Sequence, residues 1–194
     1  MIDPLAQAVL DFWFGTPDDP LHRSPRERWF KKDAAFDAEC GRRFGPLIEQ
    51  GLAGALAPWA ASPPGALAQI VVLDQFTRNV FRGSARAFAG DPLALATAQA
   101  LVAAGGDRQL SGVQRQFVYL PFEHAEDIAM QREALRLFAQ LERDEPALAG
   151  LLQWAQRHHD IVERFGRFPH RNAALGRTST AEELAFLQQP GSSF

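Results

Sequence analysis

The chain has 194 residues, 46% hydrophobic and 22% charged, which is the balance of one globular domain. A formal net charge of −3 argues against a general nucleic-acid-binding protein, and the single cysteine, Cys40, excludes a disulfide framework within the chain. No apolar run approaches the ~18 residues of a membrane span and no signal segment opens the chain, so we expect a cytoplasmic protein that binds neither membranes nor nucleic acid.

The apolar residues recur at helical spacing along the chain, and no alternating β-branched run indicates a strand. A first helix is expected between Asp3-Pro4, which can cap and start it, and Gly15, which can end it. The capping-box spacing of Ser24–Glu27 predicts a short helix. Pro46 predicts a kink or a break in the next helix, and Ser62 begins another.

The second half of the chain is also predicted to be helical. Five helices are expected there. The first covers residues 91–105, the second is capped by Ser111, and the third runs from about Ala125 to Arg143. The fourth covers residues 146–166, and the last begins after Ser179-Thr180. The eight to ten helices in all predict an all-α bundle or a stack of antiparallel helical hairpins. We expect one domain over residues 1–188 and a flexible tail over residues 189–194.

Two polar clusters interrupt this pattern in the middle of the chain. The first, Asp74–Asn79, ends a strongly apolar helix, where an arginine and an asparagine are also ordinary terminal residues. The second, Glu123–Asp127, would place three carboxylates on one helical face beside His124. Such a group can hold a metal ion or a general base, but it also suits the acidic first turn of a helix.

The third cluster contains His158 and His159, followed by Arg-Phe-Gly-Arg-Phe-Pro-His-Arg-Asn at residues 164–172. Both histidines have core spacing, so a packed core histidine is an equal alternative for each. Arginine binds carboxylates with a bidentate fork, and a structural network between this segment and the acidic cluster is a serious alternative. The segment nevertheless offers more hydrogen-bond donors than the nearby acids can occupy, and this excess favours an anion site.

Several strings of residues, spread from Ala8 to Leu187, form a combined signature: Val9–Gly15, Arg28–Phe30, Leu73–Asn79, Glu123–Asp127, Arg164–Asn172, Leu175–Arg177 and Ser179–Glu183. With this signature the chain resembles the bacterial Domain of Unknown Function 924 family. The family is similar to tetratricopeptide-like helical folds, so the resemblance implies a superhelix of stacked hairpins with a concave surface. The family usually has proline where this chain has Thr77, which implies a less rigid turn after Phe76. The resemblance implies no reaction.

We therefore predict a pocket on the concave side that binds a small anionic molecule, with acid–base chemistry as an open question. The predicted catalytic residues are His124, His159 and Glu123. The predicted ligand-binding residues are Arg78, Asn79, Asp127, Arg164, Arg167, His170, Arg171 and Asn172.

Two other interpretations of the same clusters stay open. In the first, an interaction module clamps the peptide carboxylate of a protein partner in an open groove. In the second, the arginines and carboxylates form an internal network that binds no ligand. No spacing requires a metal or a cofactor, and none is predicted; we expect a monomer or a weak dimer.

Overall fold

The computed structural model describes residues 2–22 and 24–192. Within these ranges the structure is all-α, as predicted, with short 3-10 turns and no strand. The helices are α1 (Pro4–Phe14), α2 (Ala34–Leu52), α3 (Pro63–Ile70), α4 (Thr77–Val80), α5 (Asp91–Ala103), α6 (Gly112–Glu123), α7 (Ile128–Asp144), α8 (Leu151–Phe165) and α9 (Ala181–Leu187). In this part of the chain no helix is both long and apolar enough to cross a bilayer.

The predicted caps set the limits of helix α1. The side chain of Asp3 accepts hydrogen bonds from the first backbone amides, and Gly15 ends the helix with a φ of 86°. The carbonyl oxygens of its last turn accept hydrogen bonds from side chains that follow: Arg28 binds Phe12, Trp29 binds Trp13 and Arg26 binds Phe14. Because helix ends leave carbonyl groups without intrahelical partners, these three side chains complete α1.

A π-helix, Val71–Phe76, joins α3 to α4, so that residues 63–80 form one continuous helix. This central helix is the middle of the core, because every residue from Gly65 to Thr77 is buried. It contacts α1, α2, α5 and α6. The first polar cluster therefore lies in the last turns of this helix, as expected. The chain after Phe76 continues as helix α4 and not as a turn, which corrects our expectation there.

The acidic cluster lies across the break between two helices, and this corrects a second expectation. Helix α6 ends at Glu123 and α7 begins at Ile128, whereas the sequence predicted one helix from about Ala125. Asp127 has an extended backbone, with φ −143° and ψ 120°, and its carboxylate caps α7. Glu123, Glu126 and Asp127 consequently share no helical face.

Other boundaries differ less. Pro46 lies inside the unbroken helix α2, and the predicted helix over 146–166 consists of a 3-10 turn followed by α8. Ser193 and Phe194 of the predicted tail lie outside the described residues, whereas the Ser192 hydroxyl donates to the carbonyl oxygen of Leu187.

Two hydrophobic clusters hold these helices together. The large cluster includes buried side chains from Ala6 to Ala155. A separate small cluster, which we call the C-terminal cluster, contains Ile161, Val162 and Phe168, with Phe165 and Phe186 packed against it. Helices α6, α7 and α8 pack consecutively on one another; a tetratricopeptide-like superhelix remains a prediction.

Candidate functional site

The π-helix places a carboxylate in the core. Asp74 is fully buried, and its Oδ1 lies 2.8 Å from His124 Nδ1 and 3.1 Å from Arg78 Nη1. Gln75 Nε2 donates to the other carboxylate oxygen at 2.5 Å. Although burial raises it, the charge of Arg78 and the hydrogen bonds from His124 and Gln75 lower the pKa of Asp74 below its usual value. Asp74 is therefore an ionised carboxylate whose bonds orient the His124 ring.

The π-helix also leaves a carbonyl group that a side chain satisfies. The Thr77 hydroxyl donates to the carbonyl oxygen of Leu73 at 2.7 Å, and Thr77 is fully buried. The same stretch of backbone is approached by Gly90, where an added Cβ would lie 2.1 Å from the Leu73 oxygen. Only glycine allows this approach, which brings the first residue of α5, Asp91, against the central helix.

Asp91 binds two arginines. Arg78 donates to both of its carboxylate oxygens, at 2.9 Å and 3.0 Å, and Arg171 Nη1 donates to Oδ2 at 3.2 Å. Arg171 comes from the 3-10 turn Pro169–Arg171, which follows α8 and Gly166. The Arg-rich segment, Arg164–Asn172, is thus connected to the central helix by Asp91 of α5.

Arg171 is held between two aromatic rings. Its guanidinium carbon lies 4.7 Å from the Phe88 ring centroid and 4.6 Å from that of Phe168, and its side chain is 7% exposed. No acceptor among the described residues lies within hydrogen-bonding distance of its buried Nε. Burial, followed by repulsion from Arg78, lowers the pKa of Arg171 to about 10. This guanidinium is consequently less well neutralised than an ordinary buried arginine.

Two histidines face buried carboxylates beside this group. In addition to the Asp74–His124 contact, His158 Nδ1 lies 2.9 Å from Glu123 Oε1 and 2.9 Å from the carbonyl oxygen of Trp154. The two imidazole centroids are 6.0 Å apart. Burial lowers the pKa of His124, against an opposing effect of Asp74. His124 is therefore neutral at pH 7.

These contacts close into a ring, which we call the polar circuit. His158 packs on Phe168 at 5.6 Å between ring centroids, and Phe168 contacts Arg171. His170 lies next to the circuit, 5.6 Å from the Phe168 centroid. Burial and the charge of Arg171 lower the pKa of His170 to about 3. In order, the circuit is Asp74, His124, His158, Phe168, Arg171, Asp91 and Arg78.

The structure brings five of the predicted site residues to the polar circuit: Arg78, Glu123, His124, His170 and Arg171. It places the other six elsewhere. Asn79 binds Asp37 on α2, Asp127 caps α7, and His159 contacts Asp160. Arg164 pairs with Glu182, Arg167 with Glu183, and Asn172 with Ser179 and Glu183.

The sequence assigned no site role to six residues of the circuit and its supports: Asp74, Asp91, Glu126, His158, Phe168 and Arg177. Asp91 has the sequence context of a helix start, and His158 has core spacing. Arg177 binds both oxygens of Glu126, at 2.5 Å and 2.8 Å, and Glu126 also accepts the backbone amide of Phe168 at 2.7 Å. This pair fixes the Arg-rich segment to the loop between α6 and α7, and only the string Leu175–Arg177 pointed toward it.

Two further features of the described part of the chain lie outside the circuit, a group of possible metal ligands and an open depression. The ligand atoms of His159, Asp160 and Glu163 lie within 4.8 Å of one another, but both carboxylates are exposed, and we assign no metal to them. An open depression of about 550 Å³ is lined by residues that do not belong to the circuit: Asp127, Ile128, Arg132, Val162, Glu163 and Gly166.

Comparisons with known proteins agree with the resemblance in sequence. The family described as "Bacterial protein of unknown function (DUF924)" matches residues 9–191. The solved structure of the protein of unknown function ATU0120 from Agrobacterium tumefaciens is 42% identical and has a TM-score of 0.81, over 95% of this chain and 97% of that one. No curated protein matches. The chain therefore belongs to the DUF924 family of bacterial proteins of unknown function.

Proposed function

We propose that the polar circuit binds a small molecule through an anionic group, a carboxylate or a phosphate, at Arg171, next to a histidine that accepts a proton. One observation carries the proposal. Arg171 is a buried cation whose only carboxylate partner among the described residues, Asp91, is shared with Arg78.

A comparison with the other arginines supports this choice. Arg78, Arg167 and Arg177 each bind both oxygens of one carboxylate. Arg171 makes a single 3.2 Å bond to a carboxylate that Arg78 already occupies, and its Nε has no acceptor within the ranges 2–22 and 24–192. A buried charge without a full set of partners is costly, so an incoming anion gains more here than at the other arginines.

The edge of the circuit is accessible to a small ligand. The side chains of Arg78 and Asp91 are 20% and 19% exposed, and that of His124 is 14% exposed. The side chain of Arg171 is 7% exposed and is therefore more deeply buried than these three. An anion that enters beside Arg78 would therefore be partly withdrawn from water when it reaches Arg171, which strengthens its electrostatic interactions.

The bound molecule would lie next to His124, which can act as a general base. Asp74 accepts the Nδ1 proton of His124, which leaves the Nε2 lone pair available. Because its pKa is lowered, His124 is neutral and can accept a proton near pH 7. π-Helical turns within α-helices are frequent at functional sites, and Asp74 comes from such a turn.

Titration of the protein with inorganic phosphate and, separately, with acetate tests the proposal, with ¹H–¹⁵N spectra as the measurement. We expect saturable shifts around Arg171 and at least a ~10-fold loss of affinity in Arg171→Met, because a charge-assisted hydrogen bond contributes about 1.5–3 kcal/mol. Arg164→Met, which removes an exposed arginine of the same segment, is the control and should keep the wild-type affinity. Equal affinity in both variants, or no saturable shift, would identify the circuit as an internal network.

A further inference from the structure

The open depression lies outside the polar circuit and has charges of both signs in its wall. Its volume of about 550 Å³ is within the range of small-molecule sites, roughly 300–1,000 Å³. The beginning of α7 and the end of α8 supply the residues that line it: Asp127, Ile128, Arg132, Val162, Glu163 and Gly166. The wall therefore offers an arginine, two carboxylates and two aliphatic side chains to a ligand.

The spacing of the lining residues explains how the two helices form this wall. Ile128 and Arg132 are four residues apart and share a face of α7, and Val162 is four residues before Gly166 at the end of α8. Apart from its chain neighbours, no heavy atom of the described residues would lie within 4 Å of a Cβ added to Gly166. The missing side chain of Gly166 consequently leaves open space beside the two aliphatic residues.

Arg132 and Glu163 border the open depression without forming an ion pair. Both residues are exposed, and within residues 2–22 and 24–192 neither has an oppositely charged group at ion-pair distance. Arg136, one turn further along α7, does pair with Glu133. Since Arg132 and Glu163 line the same depression but do not reach each other, a ligand that carries both charges can bridge them.

Asp127 adds a second carboxylate to the wall. Its Oδ1 accepts hydrogen bonds from the amides of Ala129 and Met130, at 2.7 Å and 3.2 Å, whereas its Oδ2 accepts none from the described residues. An ammonium group has three N–H donors and can bind more than one acceptor, and a guanidinium binds a carboxylate through two parallel hydrogen bonds. The three charged residues therefore match a ligand with one ammonium group and one carboxylate.

We infer that the open depression binds a free amino acid with an aliphatic side chain. The carboxylate of the ligand pairs with Arg132, its ammonium group pairs with Glu163 and Asp127, and its side chain contacts Ile128 and Val162. Water screens each of these exposed pairs, so one pair alone is weak and the ligand needs both charges. The site is separate from the polar circuit and does not depend on the proposed anion binding at Arg171.

Titrations with L-leucine and with two derivatives test the need for both charges, with ¹H–¹⁵N spectra as the measurement. We expect L-leucine to cause saturable shifts in the amides of residues 127–132 and 162–166. Leucinamide lacks the carboxylate and N-acetyl-leucine lacks the ammonium group, so each should bind at least ~5-fold more weakly than L-leucine. Equal affinities for the three molecules, or no saturable shift with L-leucine, would overturn the inference.

Two variants assign the two charged groups of the ligand to their partners. Arg132→Met should weaken the binding of L-leucine ~5-fold but leave that of leucinamide unchanged, because leucinamide has no carboxylate to lose a partner. Glu163→Gln should weaken L-leucine similarly but leave N-acetyl-leucine unchanged. Arg136→Met removes an exposed arginine of α7 that does not line the depression and is the matched control. If Arg132→Met weakens leucinamide as much as L-leucine, the assignment fails.

A last variant separates this site from the proposed anion site. Arg171→Met should bind L-leucine with the wild-type affinity, because Arg171 does not line the open depression. If the affinity for L-leucine is lost in Arg171→Met and kept in Arg132→Met, the amino acid binds through its carboxylate at the polar circuit. That result would overturn the present inference and support the proposed anion site.

Discussion

Arg171 Nη1 lies 3.2 Å from Asp91 Oδ2, although 80 residues separate the two along the chain. The bond connects the segment after α8 to the first residue of α5, where Arg78 already holds the same carboxylate with two bonds of its own. Asp91 is therefore the shared counter-charge of two guanidinium groups, and the polar circuit depends on it.

Replacing Asp91 by asparagine tests this dependence. The change leaves two largely buried arginines with less negative charge, so we expect the free energy of unfolding to fall by about 3 kcal/mol. Glu49→Gln breaks an exposed pair with Arg86 and should cost at most about 1 kcal/mol. Urea denaturation of both variants measures the difference. Equal losses would mean that solvent, and not Asp91, neutralises the two arginines.

The stability of the protein should fall on mild acidification because of His170. Burial and the charge of Arg171 lower the pKa of His170 to about 3, whereas an unperturbed histidine has a pKa of about 6.5, so on acidification the unfolded chain takes up a proton that the folded protein does not. The contribution of His170 to the free energy of unfolding is complete above about pH 6.5. It is lost as the pH falls toward about 3, by at most about 1.4 kcal/mol per pH unit. His124, whose pKa burial also lowers, acts in the same direction.

Urea midpoints at about pH 7 and about pH 5 measure this loss above the range in which most carboxylates titrate. We expect His170→Asn to be less sensitive to acid than the wild-type protein over that interval. His22→Asn changes a histidine outside the polar circuit and should keep the wild-type dependence. An unchanged slope in His170→Asn would show that His170 is readily protonated in the folded protein.

Thr77→Val should be costly although the two side chains have similar shapes. The substitution removes the hydroxyl that donates to the buried Leu73 carbonyl, and an unsatisfied buried polar group costs about 1–3 kcal/mol. Thr97→Val removes an equivalent bond to the carbonyl of Leu93 at an exposed position, where water replaces it. Thermal or urea unfolding compares the two, and similar small effects would contradict a role for Thr77 in closing the π-helix.

Glu183→Gln should loosen the C-terminal segment. The hydrogen bond from Arg167, with that from the Thr180 amide, lowers the pKa of Glu183 to about 2. Asn172 donates to the same carboxylate. We expect faster hydrogen exchange over residues 166–187, while the amides of the central helix stay protected. Its neighbour Glu182→Gln breaks only an exposed pair with Arg164 and should leave the exchange unchanged.

The sequence predicts helix ends well where one residue sets them. Asp3, Ser111 and Gly166 occupy the predicted caps because their side chains, or the lack of one, act on the nearest backbone groups. The break before α7 was predicted, but the start of that helix was placed at about Ala125 instead of Ile128, because the intervening residues also suit a first helical turn. The π-helix was missed for a similar reason, since Val71–Phe76 has the apolar character of an ordinary buried helix.

The sequence predicted which residues belong to the candidate site better than it predicted which side chains contact one another. The three clusters that the sequence singles out do contain most of the polar circuit, because buried charge is unusual and visible in a sequence. Which arginine meets which carboxylate depends on packing between distant helices: Arg177 and Glu126 are 51 residues apart, and Asn79 turns to Asp37 on α2. The spacing of residues within one helix contains no information about which residues of a distant helix they contact.

The C-terminal cluster is small and separate from the large hydrophobic cluster, and this separation has a consequence for dynamics. Phe168 belongs to the small cluster, and the nearby Arg171 contacts the rest of the protein through a hydrogen bond to Asp91 and through the Phe88 ring. The segment after α8 can therefore detach as one cooperative unit while the main core stays folded. Each such opening removes one wall of the polar circuit, so the free energy of this local unfolding sets how often the circuit is open to exchange with solvent.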